Sequence, residues 1–345
     1  MTKAYASLKQ AARLKPLEIE RRAVGPNDVQ IHIDYCGVCH SDIHMVNNDW
    51  GISEYPMVPG HEIVGHVVSV GSDVTKFQEG QRVGVGYFVD SCRTCEPCKA
   101  HMEQYCENGF KMTHGSETDD PGGLTFGGYS DAIIVDEGYV LNVPENLDMA
   151  NAAPLLCAGI TAYSPLRNWD VKRGDIVGVI GLGGLGHMGV KMAHAMGAHV
   201  VMITTSQGKA VDAKSLGADD VLISTDQAAM AAWAGKFDFL LNTIPVAHDI
   251  VPYMSLLKLD ATMCLVGIVD ELESVHTAPL LFGRRSVAGS LIGGTKEAQE
   301  MLDFCGEHNI TADIELIKMN EINDAHKRME KGDVKYRFVI DLKTI

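Results

Sequence analysis

Cys92, Cys95, Cys98 and Cys106 place four thiol side chains within fifteen residues, at C-x2-C-x2-C-x7-C spacing. Four soft ligands with no open position fit a closed, structural, tetrahedral zinc site. Pro97 and the charged residues around it read as an exposed lobe with little core of its own, which the metal would stabilise instead. An iron–sulfur cluster, whose ligands use similar C-x2-C-x2-C runs, and a pair of disulfides are the alternatives.

A second set is dispersed: Cys39, His61, Glu62 and Cys157. Read singly, each is ordinary. Cys157 before Ala-Gly looks like a packed helix residue, and His61-Glu62 like a surface pair. Spacing alone does not join them. Cys36, Cys264 and Cys305 have no motif around them and read as small buried hydrophobes.

Gly181-Leu182-Gly183-Gly184-Leu185-Gly186 has G-x-G-x-x-G spacing. A buried strand precedes it and a helical pattern follows, which is the context of a dinucleotide site. Gly181 allows the tight turn, Gly183 lets backbone approach a pyrophosphate, and Gly186 lets helix and strand pack closely. The helix N-terminus then faces the phosphates. The end of the next strand sets the choice of dinucleotide. Thr204-Thr205-Ser206-Gln207-Gly208-Lys209 offers hydroxyls and a cation where an NAD site usually has Asp or Glu. A carboxylate there would repel a 2′-phosphate, so NADP(H) is expected. The alternative is a polar turn with Lys209 merely solvated.

The elements that must position these groups fall into two textures. Residues 1–150 are rich in Gly, Val and Pro, with short alternating runs at 29–35, 63–70 and 129–135 that read as strands joined by turns. Residues 150–161 read as a helix. Strands are then expected at 175–180, 199–204, 221–223, 237–242 and 262–267, alternating with helices at 188–196 and 210–216. That alternation implies a doubly wound parallel sheet. A helix over 296–308 and a strand over 337–341 close the chain.

Bulk properties exclude several classes. A net charge of −16 opposes binding to nucleic acid or anionic membranes. No apolar run reaches membrane-spanning length, and the N-terminus has no apolar secretory core. A cytoplasmic protein is expected, in which clustered cysteines favour metal over disulfides.

The segments Cys39-His40-Ser41-Asp42, Gly60-His61-Glu62, the four-cysteine lobe and the Gly-Leu-Gly-Gly-Leu-Gly loop occur in this order in the zinc-dependent medium-chain alcohol dehydrogenases, which this chain resembles nearly end to end. Asn48-Asp49-Trp50-Gly51, Tyr55-Pro56, Val58 to Gly65 and Tyr336-Arg337-Phe338-Val339 resemble the cinnamyl alcohol dehydrogenase branch, especially bacterial NADPH-dependent aldehyde reductases. The resemblance implies an α/β fold: a β-rich GroES-like catalytic domain with a zinc lobe (1–153 and 290–345) and a Rossmann domain (154–289). It implies Cys39, His61 and Cys157 as ligands of a catalytic zinc, with Glu62 able to approach the metal. The lobe would hold a second zinc.

Ser41 and His44 are similar to the family's proton relay. Ser41, Thr161, Thr243, Gly267 and Ser290-Leu291-Ile292 resemble cofactor contacts, as does His40 toward the phosphates. Trp50 and Phe88 are candidates for a substrate wall, or ordinary core aromatics. The implied reaction is reversible hydride transfer between NADP(H) and an aromatic or medium-chain aldehyde or primary alcohol, in a homodimer. Zinc would act as Lewis acid and Ser41 as proton donor, refilled by His44. Two alternatives remain: an NAD-dependent zinc polyol dehydrogenase, and a zinc-stabilised nucleotide-binding protein without turnover. The absent acidic residue opposes the first, and the dispersed ligands with Ser41 and His44 oppose the second.

Overall fold

The computed structural model describes residues 1–268, 271–272 and 275–345. They form two compact units, Met1–Ile160 with Gly293–Ile345, and Thr161–Ile292.

The first unit is built on a largely antiparallel sheet. Its strand order is Ile314–Lys318, Arg337–Asp341, Asp28–Val38, Ile63–Val70, Arg82–Val85, Leu141–Asn142, and Ala132–Asp136 also pairs with Asp28–Val38. Alternation along Asp28–Val38 turns Val29, Ile31 and Ile33 inward, all fully buried. Arg337–Asp341, near the end of the chain, runs antiparallel to Asp28–Val38, with Phe338 opposite Val38. A small hairpin, Phe88–Asp90 with Lys111–Met112, leads into and out of the cysteine lobe.

The second unit is a six-stranded parallel sheet in the order Asp220–Ile223, His199–Thr204, Ile176–Ile180, Phe237–Asn242, Leu257–Leu265, Ser286–Gly289. This is the doubly wound dinucleotide-binding order, with its switch point between Ile176–Ile180 and Phe237–Asn242. Val177, Val179, Val200, Val201, Met202 and Ile203 are all buried, as expected for strands covered on both faces.

Two expectations shift. The 150–161 segment is not one helix. Met149–Ala152 is α-helical, Ala153–Leu156 is a 3₁₀ turn, and the next helix runs Ala158–Asn168. Cys157 breaks the pattern at φ −130°, ψ −68°, and its N–H closes the 3₁₀ turn on the Pro154 carbonyl. The sequence also suggests a change of domain after residue 153, whereas the first unit continues to Ile160. The reason is packing: Ala153–Leu156 lies against strands Asp28–Val38, Ile63–Val70, Arg82–Val85 and Arg337–Asp341. Cys157 therefore belongs to the first unit.

Candidate active site and metal centres

The dispersed residues meet. Cys39 caps the helix His40–Asn47 at its N-terminus. His61 and Glu62 lie in the turn leading into strand Ile63–Val70, and Cys157 sits at the break described above. One ligand atom from each of the four lies within 4.8 Å of the others, and all four residues are buried. The two sulfurs are 3.9 Å apart. Nε2 of His61 and Oε2 of Glu62 are buried without a hydrogen-bond partner among the described residues. Burial of such atoms is costly unless something binds them. Two thiols, an imidazole nitrogen and a carboxylate oxygen facing one point fit a zinc ion. The hydrogen bond from Cys157, the largest influence, together with Arg337 and His61, holds the Cys39 thiol well below the ordinary range. A thiolate is the form that binds metal.

The turn at Gly60 places His61. Its φ is +103°, and an added Cβ would meet Tyr129 and Cys36 within 2.9 Å. Only glycine suits both demands.

Asp42, which the sequence reading did not single out, ties the Cys39 and His61 segments together. Its Oδ2 accepts the Cys39 N–H at 2.9 Å, closing a capping box, and its Oδ1 accepts the Gly60 N–H at 2.9 Å. Oδ1 also lies 3.1 Å from Nδ1 of His61. That contact fixes the tautomer that leaves Nε2 able to bind metal. Burial alone would raise Asp42, but the His61 charge and the hydrogen bonds from His114 and His61 hold it well below the usual carboxylate range. Cys39-x-x-Asp42 is the one local signal that could have revealed it, since an acid three residues after a cap is a helix-start pattern.

Arg337 is another residue the sequence reading did not assign. Its Nη2 donates to Oε1 of Glu62, and both side chains are buried. Burial pushes Glu62 up to about 8 despite the Arg337 charge.

Ser41 Oγ lies 3.6 Å from Cys39 Sγ. His44, one turn further on, is partly exposed, and its Nδ1 lies 2.7 Å from Asp49 Oδ2. Trp50 packs on His44, with ring centroids 5.2 Å apart. Phe88 is buried among Phe110 and Tyr139, so it has the character of a core aromatic. The aromatic ring against His61 is Tyr87, edge-on at 4.9 Å. Neighbouring residues of an extended chain point to opposite faces.

In the lobe, one sulfur from each of Cys92, Cys95, Cys98 and Cys106 lies within 4.8 Å of the others. Cys92 and Cys98 are 3.9 Å apart, Cys95 and Cys106 4.0 Å. All nine cysteines are free, which removes the disulfide alternative, because an S–S bond spans about 2 Å. Backbone N–H groups of Cys92 and Cys95 donate to Cys106 Sγ and Cys92 Sγ. Hydrogen bonds, the Thr94 backbone first, bring Cys92 down to about 5. A closed set of four sulfurs fits a structural zinc ion.

In the second unit the glycine loop leaves strand Ile176–Ile180 and enters helix Gly186–Ala195. A Cβ on Gly186 would lie 1.9 Å from the Gly181 carbonyl, whereas nothing lies within 4 Å of one on Gly183. The first is close packing and the second is room for a ligand. Thr243 Oγ1 donates to the carbonyls of Ile180 and Gly181 at 2.8 and 3.1 Å, so it holds the turn itself. Thr204 Oγ1 accepts the Ser206 N–H at 3.2 Å, and Thr205 is exposed. Lys209 Nζ donates to the Leu182 carbonyl at 3.0 Å, which ties the basic turn to Leu182, Gly183, Gly184 and Leu185.

Gly181, Thr204, Thr243, Gly267 and Ser290 lie at or just beyond the C-terminal ends of parallel neighbouring strands, and so share one edge of the sheet. Leu291 and Ile292 follow Ser290. Thr161 sits buried in helix Ala158–Asn168, one turn after Cys157.

Two family models match the chain: the alcohol dehydrogenase GroES-like domain over residues 25–145 and the zinc-binding dehydrogenase over 184–307. Aldehyde reductase YahK of Escherichia coli (strain K12) is 53% identical over 348 residues, covering 99% of both chains. A cinnamyl alcohol dehydrogenase structure from Sorghum bicolor superposes with a TM-score of 0.95 at 45% identity, covering 99% of this chain and 98% of that one. The cinnamyl alcohol dehydrogenase of Helicobacter pylori complexed with NADP(H) gives 0.92 at 42% identity, with the same coverage.

Proposed function

The chain belongs to the zinc-dependent alcohol dehydrogenase family, and from that premise we propose which of its residues carry the reaction. The protein is a zinc alcohol dehydrogenase and aldehyde reductase that moves a hydride reversibly between NADP(H) and a primary alcohol or aldehyde. Cys39, His61 and Cys157 hold the catalytic zinc, with Glu62 beside it, and Cys92, Cys95, Cys98 and Cys106 hold a second, structural zinc. The observation that carries this is the convergence of Cys39, His61, Glu62 and Cys157 on one buried point, with His61 Nε2 and Glu62 Oε2 unpartnered.

Bound there, zinc supplies Lewis-acid polarisation of a carbonyl. The chain's own residues do the rest. Asp42 holds the His61 tautomer and both ligand loops. Arg337 holds Glu62. Ser41, 3.6 Å from Cys39 Sγ, supplies the hydroxyl proton for a reduced carbonyl oxygen, and His44 passes protons toward solvent with Asp49 as its partner. The glycine loop, Ser41, Thr161, Thr243, Gly267 and Ser290 to Ile292 are the cofactor contacts. Thr204, Thr205, Ser206 and Lys209 receive the 2′-phosphate, supported by the cation tied to the loop and the lack of a carboxylate.

The favoured substrates are aromatic or medium-chain aldehydes, and the compartment is cytoplasmic. The active species is a homodimer. Strand Ser286–Gly289 is the last in its sheet among the described residues, and the nearby Leu281 and Phe282 are 76% and 90% exposed. An open strand edge beside exposed apolar side chains suits a second copy. A polyol substrate with NAD is the weaker alternative, because it lacks the acidic residue it needs. Among the described residues no helix is long and apolar enough to cross a membrane.

The deciding experiment measures NADPH and NADH oxidation across aliphatic and aromatic aldehydes, with metal analysis and a chelator control. The reading expects two zinc ions per chain, preference for NADPH, and activity lost to chelator. One zinc per chain with no turnover would overturn it.

A further inference from the structure

His114 is fully buried beside the ligand His61, outside every motif in the sequence. Its Nε2 lies 3.3 Å from Asp42 Oδ1 and 3.2 Å from His61 Nδ1. With the 3.1 Å contact between His61 and Asp42, the three atoms form a nearly equilateral triangle. We propose that His114 is a positioning residue of the catalytic metal centre: it fixes Asp42, and through Asp42 the orientation of the His61 imidazole. This rests on reading Cys39, His61 and Cys157 as the zinc ligands.

The backbone on both sides of His114 is pinned. The Thr113 N–H donates to the Tyr87 carbonyl at 2.9 Å, and the Gly115 N–H to the Thr125 carbonyl at 2.9 Å. Gly115 is at φ +78°, and an added Cβ would meet Met57 Cε at 2.8 Å and Met45 Cε at 3.0 Å. The Tyr87 ring lies edge-on to both imidazoles, with centroids 4.9 Å from His61 and 6.4 Å from His114. His114 is held in place rather than free to rotate toward solvent.

The hydrogen-bond inventory assigns its tautomer. Nδ1 of His114 is buried without a partner among the described residues. An orphaned buried N–H is rarer and costlier than an orphaned acceptor. The proton therefore sits on Nε2 and donates to Asp42 Oδ1. Asp42 then accepts from Gly60 N, His61 Nδ1 and His114 Nε2 on Oδ1, and from Cys39 N at 2.9 Å and Tyr129 Oη at 3.4 Å on Oδ2. Asp42, His61 and His114 could by composition grip an ion of their own. Both Asp42 oxygens are already filled by backbone donors, however, so the arrangement is a hydrogen-bonded support. Outer partners of metal-binding histidines typically change metal affinity or activity by about 10–100-fold.

The test uses the full-length holoenzyme with His114→Leu, His114→Gln and His114→Asn. Glutamine sets its amide nitrogen near the position of Nε2, and asparagine near Nδ1. Zinc transfer to a chromogenic chelator is followed with time, and the lobe zinc serves as internal reference. Visible spectra of the cobalt-substituted proteins report ligand geometry. His114→Leu and His114→Asn are expected to release the catalytic ion about 10–100-fold faster, with the lobe phase unchanged and shifted cobalt bands. His114→Gln is expected to restore both. Equal release and identical spectra in all variants would overturn the proposal. If His114→Leu fails to fold, the glutamine–asparagine comparison decides by the same criterion. A third ion per chain lost in every variant would also overturn it, in favour of a separate metal site. Wild-type protein that binds only the lobe zinc would instead remove the ligand reading, and this proposal with it.

Discussion

Arg337 and Glu62, 275 residues apart in sequence, form a buried hydrogen-bonded pair next to the proposed metal ligands. The pairing of strand Arg337–Asp341 with Asp28–Val38 delivers the guanidinium to this place. Removing the guanidinium leaves the buried Glu62 carboxyl without its partner, and an unsatisfied buried polar group costs about 1–3 kcal/mol. Arg337→Met should lower unfolding free energy by that amount in urea titrations. Adding Glu62→Leu to it should recover part of the loss. An Arg337→Met protein as stable as wild type would contradict the burial argument.

Cys39→Ala and His44→Ala should separate cleanly. Loss of Cys39 removes a proposed metal ligand, and turnover should vanish along with one zinc per chain. His44 is partly exposed and paired with Asp49, so water can substitute for it. His44→Ala should slow turnover by no more than ~10²-fold, the lower end of acid–base contributions. Steady-state kinetics with metal analysis checks both. Equal small losses would remove the assigned roles.

Lys209 is the residue on which dinucleotide choice can be tested. Its ammonium is tied to Leu182 in the glycine loop. A hydrogen bond to a charged group is worth about 1.5–3 kcal/mol. Lys209→Ala should therefore raise KM for NADPH roughly tenfold to a hundredfold and leave NADH nearly unchanged. A parallel rise for both cofactors would mean the lysine supports the loop and not the 2′-phosphate.

Acid should destabilise the first unit through His326. Burial, the largest influence, lowers this imidazole to about 4; Asp42 opposes the shift and His40 adds to it. The folded protein keeps His326 neutral while the unfolded chain takes up a proton near pH 6.5. Its contribution is thus fully present above about 6.5 and is lost as pH falls toward 4. The span corresponds to about 3 kcal/mol. His326→Phe should flatten the stability profile between pH 6.5 and 4.5 in denaturant titrations. An unchanged slope would refute the assignment.

Much was legible from the chain alone. Strands Ile63–Val70, His199–Thr204, Phe237–Asn242 and Arg337–Asp341 appear at their expected bounds, because alternation and unbroken apolar runs are local signals. The glycine loop and the four-cysteine lobe are also local, so spacing was enough to find them. Strand Leu257–Leu265 begins five residues before the expected 262, since Lys258 and Asp260 hide its start. The short strands Ser286–Gly289 and Ile314–Lys318 carried too little pattern to stand out.

The metal-ligand set was a different matter. Cys39, His61 and Cys157 come from a helix cap, a turn before a strand and a break between helices, and no periodicity connects those places. Resemblance to a family joined them on paper, but their meeting is a product of sheet pairing and of the packing of Ala153–Leu156. Asp42, Arg337 and His114 needed the tertiary structure outright. Each acts through hydrogen bonds across segments far apart in sequence, and such contacts leave no mark on local composition. The chain's own order of residues determined the elements, the cofactor loop and the lobe. Only folding decided which buried charges and imidazoles surround the ligands, because burial and distance are properties of the packed molecule.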